Sequence, residues 1–172
     1  MRVLLVIDML KDFMDEDGAL YCGKESRRIV SFIKEKIREC RTSDCRVIYV
    51  CDAHDPRDKE FRMFKPHAVK GSEGAKVIDE LRPETADIIV EKTTYDAFYD
   101  TELDRVLKET GAGRVEVVGV CTSICVMEAV GVLSLKGYDV VVHKDGVADF
   151  DQEAHCFALN RMEKVYGAKV EG

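Results

Sequence analysis

Short apolar, β-branched runs recur along the chain at Val3–Ile7, Val47–Cys51, Ile88–Val90, Val115–Val120 and Val140–His143, with a weaker sixth near Ala168–Val170. Runs that are apolar at consecutive positions mark strands covered on both faces, as in a parallel sheet. Amphipathic stretches fill the intervals. Between Glu25 and Cys40, Ile29, Phe32, Ile33 and Ile37 share one face among Lys, Arg and Glu, which predicts a helix. Ala75–Leu81 and Thr101–Glu109 predict shorter helices, and Gln152–Val165 a final one. Ser123–Lys136 is apolar nearly all round, as a helix packed inside the domain would be, with Thr122 or Ser123 as its cap. The alternation predicts an α/β fold: three layers, α/β/α, around a doubly wound, six-stranded, mostly parallel sheet.

One interval breaks the pattern. Asp55–Pro66 is charged, carries Phe61 and Phe64, and has no periodicity; long irregular loops in compact domains are often functional. No linker divides the chain, so a single domain over residues 1–172 is expected. Ligands of an open parallel sheet sit outside the carboxyl ends of its strands. The polar residues just past the apolar runs are Asp8, Asp52 with His54, Lys92, and Thr122 to Cys125, and all would face one rim.

Composition narrows the function classes. The 26 Lys and Arg against 33 Asp and Glu give a net charge of −7, a field that repels phosphate backbones and anionic membranes. Neither nucleic acid nor a membrane is therefore an expected partner. With 46% hydrophobic residues, 12 Gly and 3 Pro, the chain has the makeup of a packed globular protein. Five apolar residues between Arg2 and Asp8 are too few for a signal-peptide core, which leads to a cytoplasmic expectation. Seven cysteines, an odd and scattered set, argue against a disulfide framework, so most should be reduced thiols.

Cys125 would lie in the first turn of a helix after a buried strand, where free N–H groups and the helix dipole favour a thiolate. A working nucleophile also needs a base or a cation, roles open to Asp8 and Lys92. Singly, each has an ordinary reading: a core thiol, a turn residue, a solvated charge. Their joint placement on one rim is what raises the enzymatic one. Asp52, His54 and His67 form a second group, since a carboxylate and two imidazoles suit Zn²⁺, Mn²⁺ or Fe²⁺. The same three read equally well as a capping Asp52 with two exposed histidines. Cys121 and Cys125, spaced C-x3-C, make a poor redox or metal signal, and His143 and His155 have no evident partners.

Together, Val6-Ile7-Asp8-Met9-Leu10-Lys11-Asp12-Phe13, Asp52-Ala53-His54, Pro66 to Gly74, Glu91-Lys92 and Gly119 to Val126 resemble the isochorismatase-like cysteine hydrolases, in order and over almost the whole chain. Within that superfamily the Asp-x-His and later His blocks look most like nicotinamidase. The resemblance implies a triad of Asp8, Lys92 and Cys125, with an oxyanion hole from the backbone N–H groups of Cys121 and Cys125 and a strained, even cis, Val120–Cys121 peptide. It also implies a divalent metal, Zn²⁺ first with Mn²⁺ or Fe²⁺ as alternatives, on Asp52, His54 and His67, and a ring pocket lined by Phe13 and Phe64.

Four positions depart from the pattern: Asp58 stands where a further histidine is frequent, Ala53 replaces a common Trp, Leu10 a common Gln, and Phe64 a usual Trp. They leave the triad intact and reshape the pocket. The implied reaction converts nicotinamide to nicotinate and ammonia through a thioester. The alternatives are a sibling hydrolase for isochorismate, an N-carbamoyl compound or another small amide and, more remotely, a non-enzymatic protein using a Cys121–Cys125 redox pair or a binding site. The implied partner is a small-molecule amide, with a homo-oligomer left open.

Overall fold

The computed structural model describes residues 1–172. Strands β1 (Arg2–Ile7), β2 (Cys45–Asp52), β3 (Ile88–Lys92), β4 (Arg114–Val120), β5 (Asp139–Ala148) and β6 (Lys169–Glu171) form one all-parallel sheet in the order β3-β2-β1-β4-β5-β6. The helices are α1 (Lys11–Met14), α2 (Ile29–Arg41), α3 (Leu103–Glu109), α4 (Met127–Leu135) and α5 (Gln152–Lys164).

Side chains of a strand alternate between faces, and in β1 this divides the core in two. Val3, Leu5 and Ile7 join Leu107, Ala129, Leu133 and Met162 beneath α3, α4 and α5, whereas Leu4 and Val6 join Ile33 and Ile37 beneath α2. Helices thus cover both faces, giving the three-layer α/β/α fold that the apolar runs predict. The order reverses between β1 and β4, the switch point at which such sheets open a ligand crevice. Their ends approach closely there: Gly119 has φ +125°, and a Cβ on it would lie 2.0 Å from the Ile7 carbonyl oxygen. Only glycine admits that approach.

Several expectations need correcting. Ala75–Leu81 is no helix beyond a single turn at Asp79–Leu81. Its backbone pairs with the start of the chain instead, through Lys11 N–H to Lys76 O (2.9 Å), Asp12 N–H to Gly74 O (3.0 Å) and Ile78 N–H to Met9 O (3.0 Å). The helix from Glu25 begins as a tight turn at Lys24–Arg28 before α2. Strand β5 runs past His143 to Ala148, because its register against β4 shifts between Val117 and Gly119 and the polar Lys144 and Asp145 sit in the resulting bulge. The segment before α4 opens with a wide turn at Thr122–Val126, in which Val126 N–H reaches Cys121 O (3.2 Å), and no side chain caps it. Leu135, at the end of α4, faces solvent.

Two histidines do have partners: His143 Nε2 meets Glu116 Oε2 at 2.7 Å, and His155 Nδ1 meets Thr122 Oγ1 at 2.9 Å. One pair of cysteines departs from the reduced state expected, since Cys40 and Cys45 form a disulfide between the end of α2 and the start of β2. No helix is long and apolar enough to cross a membrane.

Candidate active site

The carboxyl ends of β1 to β4 bring Asp8, Asp52, Lys92 and Cys125 together. Asp8 follows β1 in a left-handed conformation, φ 52°, that few non-glycine residues adopt. Its N–H donates to Val50 O (2.9 Å), and its Oδ1 accepts from the Asp52 N–H (2.9 Å), which aims the carboxylate inward. Lys92 ends β3 in register with Asp52. Its ammonium is buried, ion-paired to Asp52 Oδ1, 2.8 Å from Asp8 Oδ2 and 3.5 Å from Cys125 Sγ. The contact with Asp8 Oδ2 is off the hydrogen-bond direction, so that oxygen has no aligned donor.

Burial, then the neighbouring charge of Asp52, lifts the Asp8 carboxyl to about 6, with Lys92 opposing. Burial likewise pushes the Cys125 thiol well above its ordinary range despite Lys92. Cys125 is buried, and that burial outweighs both the Lys92 charge and the helix start that the sequence expects to favour a thiolate, so the base role open to Asp8 carries the weight. Burial works against the Lys92 ammonium too, but Asp8, Cys125 and Asp52 outweigh it and hold it charged. A buried thiol beside a carboxylate lacking an aligned donor, with a fixed cation, can pass its proton as it attacks an electrophile.

The turn after β4 leaves a backbone N–H free. The Val120–Cys121 peptide is cis, and the Cys121 N–H donates to no acceptor within the protein. Asp149, just past β5, accepts from the Ser123 N–H (2.7 Å) and holds the turn.

Asp52 reaches a second group with its other oxygen, 3.5 Å from His54 Nε2. The ligating atoms of Asp52, His54 and His67 lie within 4.8 Å of one another. Both histidines are buried, so the reading of two exposed histidines is overturned. His54 Nδ1 meets Asp58 Oδ2 at 3.1 Å, while its Nε2 is buried with no hydrogen-bond partner. His67 Nδ1–H donates to Lys65 O (2.7 Å), leaving Nε2 3.6 Å from Glu60 Oε1. Partners on Nδ1 and unpartnered Nε2 atoms facing carboxylates are what a bound divalent ion requires. Asp58 thus orients His54, and Glu60 is the carboxylate facing the group.

A cavity of about 330 Å³ joins the two clusters. Asp8 and Cys125 line it beside Cys121, Asp52, Glu60 and His67 also face it, and Phe13 and Phe64 form part of its wall as the resemblance implies. Tyr21, Tyr95 and Phe150, missed in the sequence, complete the aromatic lining. Tyr95 comes three residues after Lys92, and Phe150 is hidden by placing the end of β5 too early. Glu60 lies in the irregular loop singled out above.

The Isochorismatase domain matches residues 2–171. An isochorismatase family protein of Bacillus subtilis, PncA, is 37% identical over 179 residues, covering 98% of each chain. The crystal structure of nicotinamidase PncA from Bacillus subtilis aligns with a TM-score of 0.94 at 32% identity over 99% of each chain. N-carbamoylsarcosine amidase from Thermoplasma acidophilum gives 0.89 at 34% over 99% of this chain and 95% of that one. The pyrazinamidase of Pyrococcus horikoshii in complex with zinc gives 0.90 at 29% over 98% and 97%. A buried Asp, Lys and Cys at the switch point of a parallel sheet, in a chain matched from end to end, mean that this protein belongs to the isochorismatase family of hydrolases.

Proposed function

We propose that this protein hydrolyses a small aromatic carboxamide, nicotinamide to nicotinate and ammonia, with Cys125 as nucleophile. One observation carries the reading: one aromatic-walled cavity is lined by Asp8 and Cys125, which Lys92 contacts from behind, and by Asp52 and His67 of the group that His54 completes. Cys125 Sγ attacks the amide carbon as its proton passes to Asp8, and the Cys121 N–H, with that of Cys125, receives the oxyanion. Asp8 then protonates the nitrogen, the C–N bond breaks and ammonia leaves a thioester. Water, giving a proton to Asp8, cleaves the thioester and restores the thiol. Lys92 stays charged throughout and offsets the negative charge around Asp8.

Asp52, His54 and His67 would hold a divalent ion, Zn²⁺ in first place, with Glu60 beside them. Such an ion supplies a Lewis-acid anchor for a ring nitrogen. Phe13, Phe64, Tyr95 and Phe150 stack against the ring. The neutral substrate needs no electrostatic steering, so the −7 charge is no obstacle.

The likeness to N-carbamoylsarcosine amidase supports a second reading, a sibling activity on an N-carbamoyl compound. Ammonia release from nicotinamide, pyrazinamide and N-carbamoyl compounds separates the two. The first reading expects turnover of both ring amides, its loss in Cys125→Ala, and loss of bound metal in His54→Ala. Full activity in Cys125→Ala would refute it.

A further inference from the structure

Two thiols outside the proposed chemistry meet in the cavity wall. Cys22 and Cys121, 99 residues apart in sequence, bring their sulfurs to 3.4 Å, and both line the cavity. Cys22 is held in place by its N–H, which donates to Phe13 O (2.9 Å), and its sulfur lies 3.7 Å from Leu20 O. It is buried, whereas Cys121 is partly exposed toward the cavity. The sulfurs are in van der Waals contact. Bonding at about 2.05 Å would ask each to move roughly 0.7 Å, within the play of a side chain. Cys121, which the C-x3-C spacing pairs with Cys125, thus turns its sulfur to a cysteine far away in sequence.

We propose that Cys22 and Cys121 are an oxidation site, at which a hydroperoxide small enough to enter the cavity converts the two thiols reversibly into a disulfide. Cys121, the more exposed, attacks the hydroperoxide; the O–O bond breaks, leaving a sulfenic acid on Cys121 and releasing an alcohol, or water from hydrogen peroxide. Cys22 then attacks the Cys121 sulfur, the S–S bond forms, and the hydroxyl leaves as water with the Cys22 proton. In sum two thiols lose two electrons and two protons, and the hydroperoxide is reduced by the same two electrons. A dithiol reverses the change by exchange. The bond fastens the loop between α1 and α2 to the turn that carries Cys125, closing one wall of the cavity onto the other.

The linkage does not depend on the proposed amide hydrolysis, so its test uses no turnover. The full-length Cys125→Ala variant removes the competing cavity thiol and leaves four of the five free thiols, Cys22, Cys51, Cys121 and Cys156. It is treated with hydrogen peroxide, blocked with iodoacetamide and mapped by mass spectrometry without reduction. The expected result is a Cys22–Cys121 linked peptide, a thiol titre falling from four to two, and full recovery in dithiothreitol. In Cys22→Ser/Cys125→Ala, Cys121 has no resolving partner and proceeds to sulfinic acid, which dithiothreitol does not recover. The proposal is overturned if Cys121 becomes sulfinic acid while Cys22 is present, if the linked peptide joins another pair, or if both cysteines are alkylated after peroxide. Wild-type protein mapped in the same way decides the matter should either variant fail to fold.

Discussion

Replacing Glu116 by Gln tests the electrostatics of the sheet away from the cavity. Glu116 lies inside β4 and is buried, with Oε2 2.7 Å from His143 Nε2, Oε1 3.3 Å from Arg2 Nη1, and Lys36 Nζ 3.8 Å away. The hydrogen bond with His143 holds its carboxyl at about 2, against the cost of burial and with help from the charges of His143, Lys36 and Arg2. From an ordinary value of 4.5 the depression is about 2.5 pH units, and at about 1.4 kcal/mol per unit it corresponds to at most about 3.5 kcal/mol. Arg2 is nearly half exposed, so solvent screening brings the expected figure to about 2 kcal/mol.

Gln keeps the shape and an acceptor for His143 but not the charge. The folded value is depressed, so the stabilisation is fully present above pH 4.5 and disappears as pH falls toward 2. Urea unfolding of wild type and Glu116→Gln, at intervals from pH 7 to pH 2.5, should give a gap of about 2 kcal/mol that is level down to pH 5 and closes below. A gap unchanged to pH 2.5, or none at pH 7, refutes the reasoning.

Gly119→Ala forces a side chain onto the Ile7 carbonyl at a positive φ; a cost of about 3 kcal/mol is expected in urea unfolding, with a larger relative fall in ammonia release because Asp8 and Cys125 are set by those two strand ends. Asp12 Oδ1 accepts from Ala19 N–H (3.1 Å) and Oδ2 from Ala68 N–H (2.7 Å). Asp12→Asn turns one of these acceptors into a donor, which should cost about 2 kcal/mol by the same assay and weaken the retention of added Zn²⁺ at the proposed Asp52, His54 and His67 site, read as faster loss to a chelator. Cys40→Ser removes a disulfide that closes a short loop of sequence separation 5; chain entropy sets the loss near 2 kcal/mol, measured by urea unfolding, with the rate of ammonia release unchanged.

Much of the site could be read in the sequence because parallel strands make their ends predictable. Each apolar run gives a strand, each strand end faces one rim, and the polar residues just beyond, Asp8, Asp52, Lys92 and Cys125, are the ones that meet there. Local pattern failed where backbone partners came from far along the chain. Ala75–Leu81 has a helical spacing, but Lys76 O accepts from the Lys11 N–H and the Ile78 N–H donates to Met9 O, and this pairing with the start of the chain replaces the helix. Similarly β5 survives the polar Lys144 and Asp145 because the register against β4 shifts to accommodate them.

The sequence by itself determined the layers, the six strands and the residue types of the chemistry, since burial on two faces and helical periodicity are written in local pattern. Tertiary structure alone decided how those residues act. Burial, which depends on every neighbouring element, raises the Cys125 thiol and the Asp8 carboxyl, and the charges that folding gathers around Lys92 hold it charged against the same burial. Folding also put Glu60 opposite His67, gave Asp58 to His54, and set Cys121 against Cys22. The Glu60–His67 and Cys121–Cys22 pairings have no sequence signature, because each joins side chains whose separation is fixed by loop paths that local periodicity does not encode.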